Sequence, residues 1–194
     1  MKFKTCKARN ILIVAAVSLL SSFLNAADIS GIQIEQTPLT YIDNTINGNV
    51  LDLSNIGETV KNSKKHASST RAPASGISYF EVYAVGSSNI GWEVPISSTQ
   101  SSTAYNHGGS LMRIAVLQVG LGNPNNATMG GSSATRYRTD LLCGSNLHSC
   151  SPGEIITGYL YYYSFDGQQG GFFSNSSNSI VYPFGFWQDS ISIL

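Results

Sequence analysis

His107 stands between Asn106 and the pair Gly108-Gly109, immediately ahead of the apolar run "SLMRIAVLQVG" over residues 110–120. An imidazole beside glycines can be approached closely, because glycine lacks a Cβ and accepts backbone geometry that other residues resist. Such a histidine suits a general base or a ligand, with Arg113 or a backbone N–H placed to hold an oxyanion. The same imidazole can instead hydrogen-bond a neighbouring loop and order the turn. Hydrolytic chemistry would need a nucleophile for it to activate. Ser97, Ser98, Ser101, Ser102 and Ser110 are too many to single one out, and no G-x-S-x-G elbow occurs.

Other constellations are weaker. Glu81, Glu93, Asp140, Glu154, Asp166 and Asp189 are the carboxylates of the C-terminal region, and no two of them form an evident acid–base pair for glycosidic chemistry. Cys143, His148 and Cys150 give a C-x4-H-x-C spacing that is not a familiar four-ligand zinc pattern. The glycine-rich "LGNPNNATMGG" over 121–131 lacks the lysine and the following helix of a phosphate loop, and reads as a long surface loop. No metal and no cofactor is expected. Aromatic side chains are the richer set. Trp92, Tyr105 (beside Asn106), Tyr161 and Tyr163 combine rings with nearby amides, as recognition faces do. Tyr161, Tyr162 and Tyr163 are consecutive, so in a strand at least one of them is expected to face solvent or a partner.

The ends of the chain bear on where this chemistry would operate. Lys2, Lys4, Lys7 and Arg9 precede the apolar stretch Ile11–Leu20, and "LNA" ends at a small-residue cleavage site after Ala26. Residues 1–26 thus read as a secretory signal, too short for a comfortable membrane span. The chain has 11 basic and 11 acidic residues; removing those four basic ones leaves 7 against 11, a net charge of −4. Such a chain is a poor binder of nucleic acid. Cys6 leaves with the signal, so Cys143 and Cys150 are expected to form a disulfide in an exported protein.

Residues 27–76 read as an N-terminal extension and flexible linker. The linker "KNSKKHASSTRAPASG" lacks apolar periodicity, and the extension before it has short apolar alternations that suit an arm laid on the main domain, a pro-region or a separate contact segment. Residues 77–194 read as one domain. "SYFEVYAV" (78–85) alternates Tyr79, Glu81, Tyr83 and Val85 with Phe80, Val82 and Ala84. The 110–120 run is apolar on both faces, as a central strand should be. "IITGYLYYYSF" (155–165) places Tyr159, Tyr161, Tyr163 and Phe165 on one face, and Asp166-Gly167 signals a hairpin turn after it. "SATRYRTDLLCG" (133–144) has room for a helical turn or two, and strong helix patterns are absent. The expected fold is mainly β, a compact sandwich or small barrel with long Gly/Ser/Asn-rich loops.

"YFEVYAVGSSNIGWEVPIS", "TAYNHGGSLMRIAVLQVGLGN" and "ATMGG" together resemble the YolA-like family of small secreted bacterial proteins of unknown function. The resemblance covers roughly residues 78–194 and implies export and a compact domain, without assigning a role to any residue. Two functional readings follow. One is a secreted interaction protein that binds an envelope polysaccharide or a cell-surface protein, with a toxin-like or antagonistic role inside that class. Its face would draw on Trp92, Tyr105, Asn106, Tyr161 and Tyr163, without stable membrane insertion. The other is a small secreted hydrolase with His107 as general base and Arg113 at the oxyanion.

Overall fold

The computed structural model describes residues 45–63, 76–182 and 184–194, which fall within one compact unit spanning Thr40–Leu194. The signal read over 1–26, residues 27–44 of the extension and residues 64–75 of the linker lie outside the described residues, whereas Lys61 and Asn62, read as part of the linker, end a helix. Among the described residues one helix, α1 (Ile56–Asn62), precedes eleven strands: β1 (Tyr79–Ser87), β2 (Gly91–Glu93), β3 (Met112–Val119), β4 (Gly122–Pro124), β5 (Ala127–Met129), β6 (Ser132–Ala134), β7 (Arg136–Cys143), β8 (His148–Ser149), β9 (Ile156–Ser164), β10 (Gly171–Ser179) and β11 (Phe186–Ile193).

The strands form two antiparallel sheets. The first has the order β2-β1-β3-β9-β7-β8. The second has the order β11-β10-β5-β6, with β4 also pairing to β10. The main core lies between them and includes Phe80, Val82, Val85, Ile114, Val116, Tyr161, Tyr163, Phe165, Met129, Phe173, Ile191 and Ile193. A second core covers the opposite face of the first sheet, where Tyr79, Tyr83, Leu117, Leu160 and Tyr162 meet Leu51, Ile56 and Val60 from the N-terminal arm. Each fully buried aliphatic side chain of this kind contributes about 1.5–3 kcal/mol through burial.

That second core explains two departures from the sequence reading. The domain reaches back before Ile77, because α1 presents Ile56 and Val60 four residues apart to the sheet. Its short turn carries an i,i+3 Glu58–Lys61 ion pair on its outer side. All of Tyr161, Tyr162 and Tyr163 are also buried, so none is left for solvent. Both faces of β9 are covered, and a strand so covered can bury three consecutive rings.

Four further expectations are corrected. A bulge between Val82 and Ala84 shifts the β1 register, so Val85 joins Phe80 and Val82 while Ala84 joins Tyr79 and Tyr83. Residues 133–144 hold strands β6 and β7 instead of a helical turn, since β7 pairs along β9 from Arg136 to Cys143. The 121–131 stretch is likewise not one long loop: β4 and β5 occupy it, and Ala127 and Met129 are core residues. Asp166-Gly167 does turn, with Gly167 at φ 84°, but it links β9 of the first sheet to β10 of the second and so is not a hairpin.

The predicted disulfide joins Cys143 at the end of β7 to Cys150 just beyond β8, closing a ring with a sequence separation of 7. Beside it Glu154 accepts the Ser151 N–H at 2.7 Å and faces His148 Nε2 at 3.1 Å. The Ser151 N–H, and then His148, hold this carboxyl below its usual range.

Candidate functional site: a buried latch and a neutral outer face

His107 belongs to the long segment between β2 and β3. This segment leaves the edge of the first sheet and touches the edge of the second. There Thr103 N donates to Ser192 O at 2.9 Å and Ser192 N donates to Ser101 O at 3.0 Å. It then returns to β3, closing one side of the sandwich. A segment with so little regular structure of its own needs fixing by side chains, and His107 does this from a position 1 % exposed. Its Nε2 lies 3.0 Å from Glu93 Oε2 and its Nδ1 lies 3.1 Å from Ser87 Oγ. The ionised Glu93 can only accept, so Nε2 carries the hydrogen; in the neutral tautomer Nδ1 then accepts the Ser87 O–H.

Glu93 is the hub. Burial pushes its carboxyl up, but the Ala104 N–H, His107, Gln100 and the Tyr105 N–H outweigh burial and hold it below its usual value. Ala104 N donates at 2.9 Å and Gln100 Nε2 at 2.8 Å, both to Oε1. The neighbouring glycines follow from close approach. Gly109 sits at φ 97°, and a Cβ there would collide with Ser88 Oγ. Its N–H and C=O are both held by the amide of Gln169, each at 3.3 Å.

The hydroxyl–imidazole–carboxylate order of Ser87, His107 and Glu93 is that of a hydrolase triad. The environment differs, however. Ser87 is 0 % exposed and its Oγ also receives the Ile90 N–H at 3.3 Å. That oxygen is shielded from solvent and already engaged on both sides. Arg113 does not join His107. On β1 and β2, Ser87 pairs with Met112 and Glu93 with Val85, both core positions between the sheets. Arg113 alternates with Met112 and Ile114 and so points to the opposite face. It lies over the Tyr137 ring at 5.3 Å and forms a two-point ion pair with Asp166, Nε to Oδ1 at 3.0 Å and Nη2 to Oδ2 at 2.9 Å. Asp166 Oδ1 also accepts the Met112 N–H at 3.0 Å, so this pair fastens the crossover turn to β3.

The predicted aromatic face is divided in the same way. Tyr161 and Tyr163 belong to the main core. Tyr161 OH accepts from Gln118 Nε2 at 3.2 Å, and Tyr163 OH donates to Asn125 O at 3.2 Å. Burial drives both phenols upward, Tyr163 to about 12. Trp92 is half-buried against Gly86, with its indole N–H on Asn49 O at 3.2 Å. Tyr105 and Asn106 are exposed in the loop beside His107. The four rings therefore do not form one surface.

A different surface emerges on the second sheet. Along β10, Phe173, Asn175, Ser177 and Ser179 point inward and are buried, which leaves Phe172, Ser174, Ser176 and Asn178 outward. Along β11, Trp187, Ile191 and Ile193 contribute to the core side, leaving Phe186, Gln188, Ser190 and Ser192 outward. The register sets Phe172 opposite Ser192, Ser174 opposite Ser190, Ser176 opposite Gln188 and Asn178 opposite Phe186. Thr128 on β5, Ser133 on β6 and Asn123 on β4 continue the same face. The polar groups are partly pre-set: Gln188 Nε2 donates to Ser174 Oγ at 3.1 Å and Asn125 Nδ2 to Ser176 Oγ at 2.9 Å. Each of these serines keeps its own O–H to donate.

At one end the β10–β11 connection adds Ile180, Tyr182 (82 % exposed) and Phe184 (74 % exposed) to the exposed Phe186. Its backbone is pinned while those side chains project. Tyr182 O accepts the Gly76 N–H, Gly185 O accepts the Ser179 N–H, and Val181 O accepts the Ser179 hydroxyl at 2.8 Å. Sequence reasoning missed this face because it sought rings in "YLYYYSF". The available signal was the alternation of "SISI" at the end of β11; "GFFSNSSNS" is polar on both faces after its two phenylalanines and offered none. A pocket of about 200 Å³ near α1, lined in part by Asn62, Ser63, Pro95 and Ser97, is smaller than the usual small-molecule site of roughly 300–1,000 Å³.

Among the described residues no helix is long and apolar enough to cross a membrane. Cys143 and Cys150 are bonded to each other and are not available as thiolate ligands. A comparison with curated proteins finds no match. The family model described as a domain of unknown function (DUF4879) matches residues 72–193, covering β1 to β11, and the chain belongs to that family.

Proposed function

We propose that this domain is the non-catalytic binding module of an exported protein, and that it recognises an envelope polysaccharide through the outer face of the second sheet. The observation that carries the reading is the composition of that face: serine, threonine and amide side chains in register, with exposed phenylalanines at both ends of the β10–β11 pair. Sugars offer hydroxyls that both donate and accept, and C–H faces that stack on rings. A surface that mixes hydroxyls, amides and aromatic rings answers both. Export fits the charge and apolar pattern of residues 1–26, the Cys143–Cys150 bond and the likeness to YolA-like secreted proteins.

A hydrolase built on His107 would need an accessible hydroxyl beside the imidazole, and the hydroxyl that meets it is buried. The test is co-sedimentation of the purified protein with isolated cell-envelope polysaccharide, comparing wild type with Phe172→Ala and Gln188→Ala. Both positions are exposed, so their variants should melt like wild type. Their retention should fall roughly tenfold together, the scale of about 1.4 kcal/mol for an anchoring contact. Undiminished retention in both variants would move the site off this face.

A further inference from the structure

We infer that the polysaccharide is uncharged and lies as an extended chain along β10 and β11; this rests on the proposed polysaccharide reading and narrows it. The first observation is charge. Across β4, β5, β6, β10 and β11 the only ionisable side chain is Asp189. It sits opposite the inward-facing Asn175 and turns away from the outer face, where its Oδ2 accepts the Val82 N–H of β1 at 2.8 Å. The outer face therefore has no cation for a carboxylate, sulfate or phosphate. Recognition of such groups relies on Arg and Lys, because a neutral hydroxyl repays little of the desolvation cost of an anion. Elsewhere among the described residues, Lys61, Arg113 and Arg138 are paired with Glu58, Asp166 and Asp140, and Arg136 lies over the Tyr161 ring at 4.9 Å. Among the described residues no basic track leads an acidic polymer to this face.

The second observation is length. Phe172 and Asn178 stand six residues apart on β10, and Phe186 is the partner of Asn178 on β11. At about 3.3 Å per residue the two phenylalanines are roughly 20 Å apart along the strands. That span suits several sugar rings in a row and exceeds a single one. The serines and Gln188 between them form two parallel rows about 4.8 Å apart. A chain running along the strands meets a ring at each end and neutral donors and acceptors between. A chain running across them would meet only one ring.

The experiment is co-sedimentation of the purified, disulfide-intact protein with amorphous cellulose, colloidal chitin and curdlan as neutral probes. Insolubilised alginate and polygalacturonate serve as acidic probes. Support is retention on at least one neutral probe and at least tenfold less on both acidic ones, with Phe172→Ala and Phe186→Ala each weakening the neutral binding several-fold. The double variant Ser174→Lys/Ser190→Lys places two cations directly opposite one another on the face. It should lose neutral binding and gain acidic binding. Retention on the acidic probes equal to or above the neutral ones overturns the inference and leaves the polysaccharide reading standing. Retention on no probe and on no isolated envelope polysaccharide overturns both, as does retention that neither Phe variant weakens. A stable dimer that Phe172→Ala dissociates would assign the face to a second copy of the chain and also overturn it.

Discussion

Replacing His107 by alanine tests how far the domain depends on one side chain that makes two hydrogen bonds from a fully buried position. The bond to the ionised Glu93 is charge-assisted and contributes about 1.5–3 kcal/mol; the bond to Ser87 adds about 1 kcal/mol. Glu93 keeps its donors from Gln100 and Ala104, and Ser87 keeps the Ile90 N–H, so neither partner is orphaned. The expected loss is therefore about 3 kcal/mol, before any contribution from the cavity that the imidazole leaves. For a domain of this size it corresponds to a Tm lower by about 10 °C. Urea unfolding should show a lower midpoint with an unchanged slope, the sign of lost stability without a change in the unfolded state. A double-mutant cycle with Glu93→Gln then isolates the contact, because the two losses should fall short of additivity by about 1–2 kcal/mol. A loss below about 1 kcal/mol, or strict additivity, would refute the latch. It would return His107 to consideration as a functional base.

Other perturbations follow from the same contacts. Glu93 is held below its usual 4.5, so its contribution is full above that value and is lost as the pH falls through the depressed folded value. A Tm profile taken downward from pH 6 should fall more steeply for wild type than for Glu93→Gln in that acid window. Ile56→Ala should cost about 2–4 kcal/mol by urea unfolding, since Ile56 is 0 % exposed in the second core; a change near zero would show that the arm is not part of the folded unit. Opening the Cys143–Cys150 ring in the double Ser variant should cost on the order of 2.5 kcal/mol, read as a Tm difference that reductant reproduces in wild type.

The strands with uniform chemistry were legible from sequence. "SLMRIAVLQVG" read as a covered strand because it is apolar on both faces, and "IITGYLYYYSF" because its rings recur at every second position; both lie at the centre of the first sheet. The pairing of Cys143 with Cys150 followed from their being the even pair left once residues 1–26 are read as a secretory signal. What stayed hidden depended on contacts distant in sequence. Ser87 and Glu93 lie 20 and 14 residues from His107, and no spacing rule links them before the sheet is folded. The burial of Tyr162 depends on an arm that the reading could place only as one of several possibilities, and Ile56 and Val60 within it form too short a pattern to stand out. β10 was obscured because its inward residues Asn175, Ser177 and Ser179 are polar. They can be buried only because each finds a partner: Asn175 Nδ2 donates to Asn125 O at 2.9 Å, Ser177 Oγ donates to Gln118 Oε1 at 2.6 Å, and Ser179 Oγ accepts the Ile77 N–H.

Taken together these contacts separate two kinds of polar residue. Carboxylates and guanidinium groups fasten elements together: Glu93 ties the side-closing segment to β2, Asp166 ties the crossover turn to β3, and Asp189 ties β11 to β1. The hydroxyls and amides outward on the second sheet fasten little beyond Gln188 to Ser174 and Asn125 to Ser176. If fastening and recognition are divided in this way, substitution should separate them. Asp166→Asn should lower the Tm, because it weakens a two-point ion pair and a backbone acceptor, and should leave retention by polysaccharide unchanged while the protein stays folded. Gln188→Ala should do the reverse. The division fails if Asp166→Asn abolishes binding well below its melting temperature, or if Gln188→Ala unfolds the domain. Either result would mean that the outer face is held in shape by the same groups that bind.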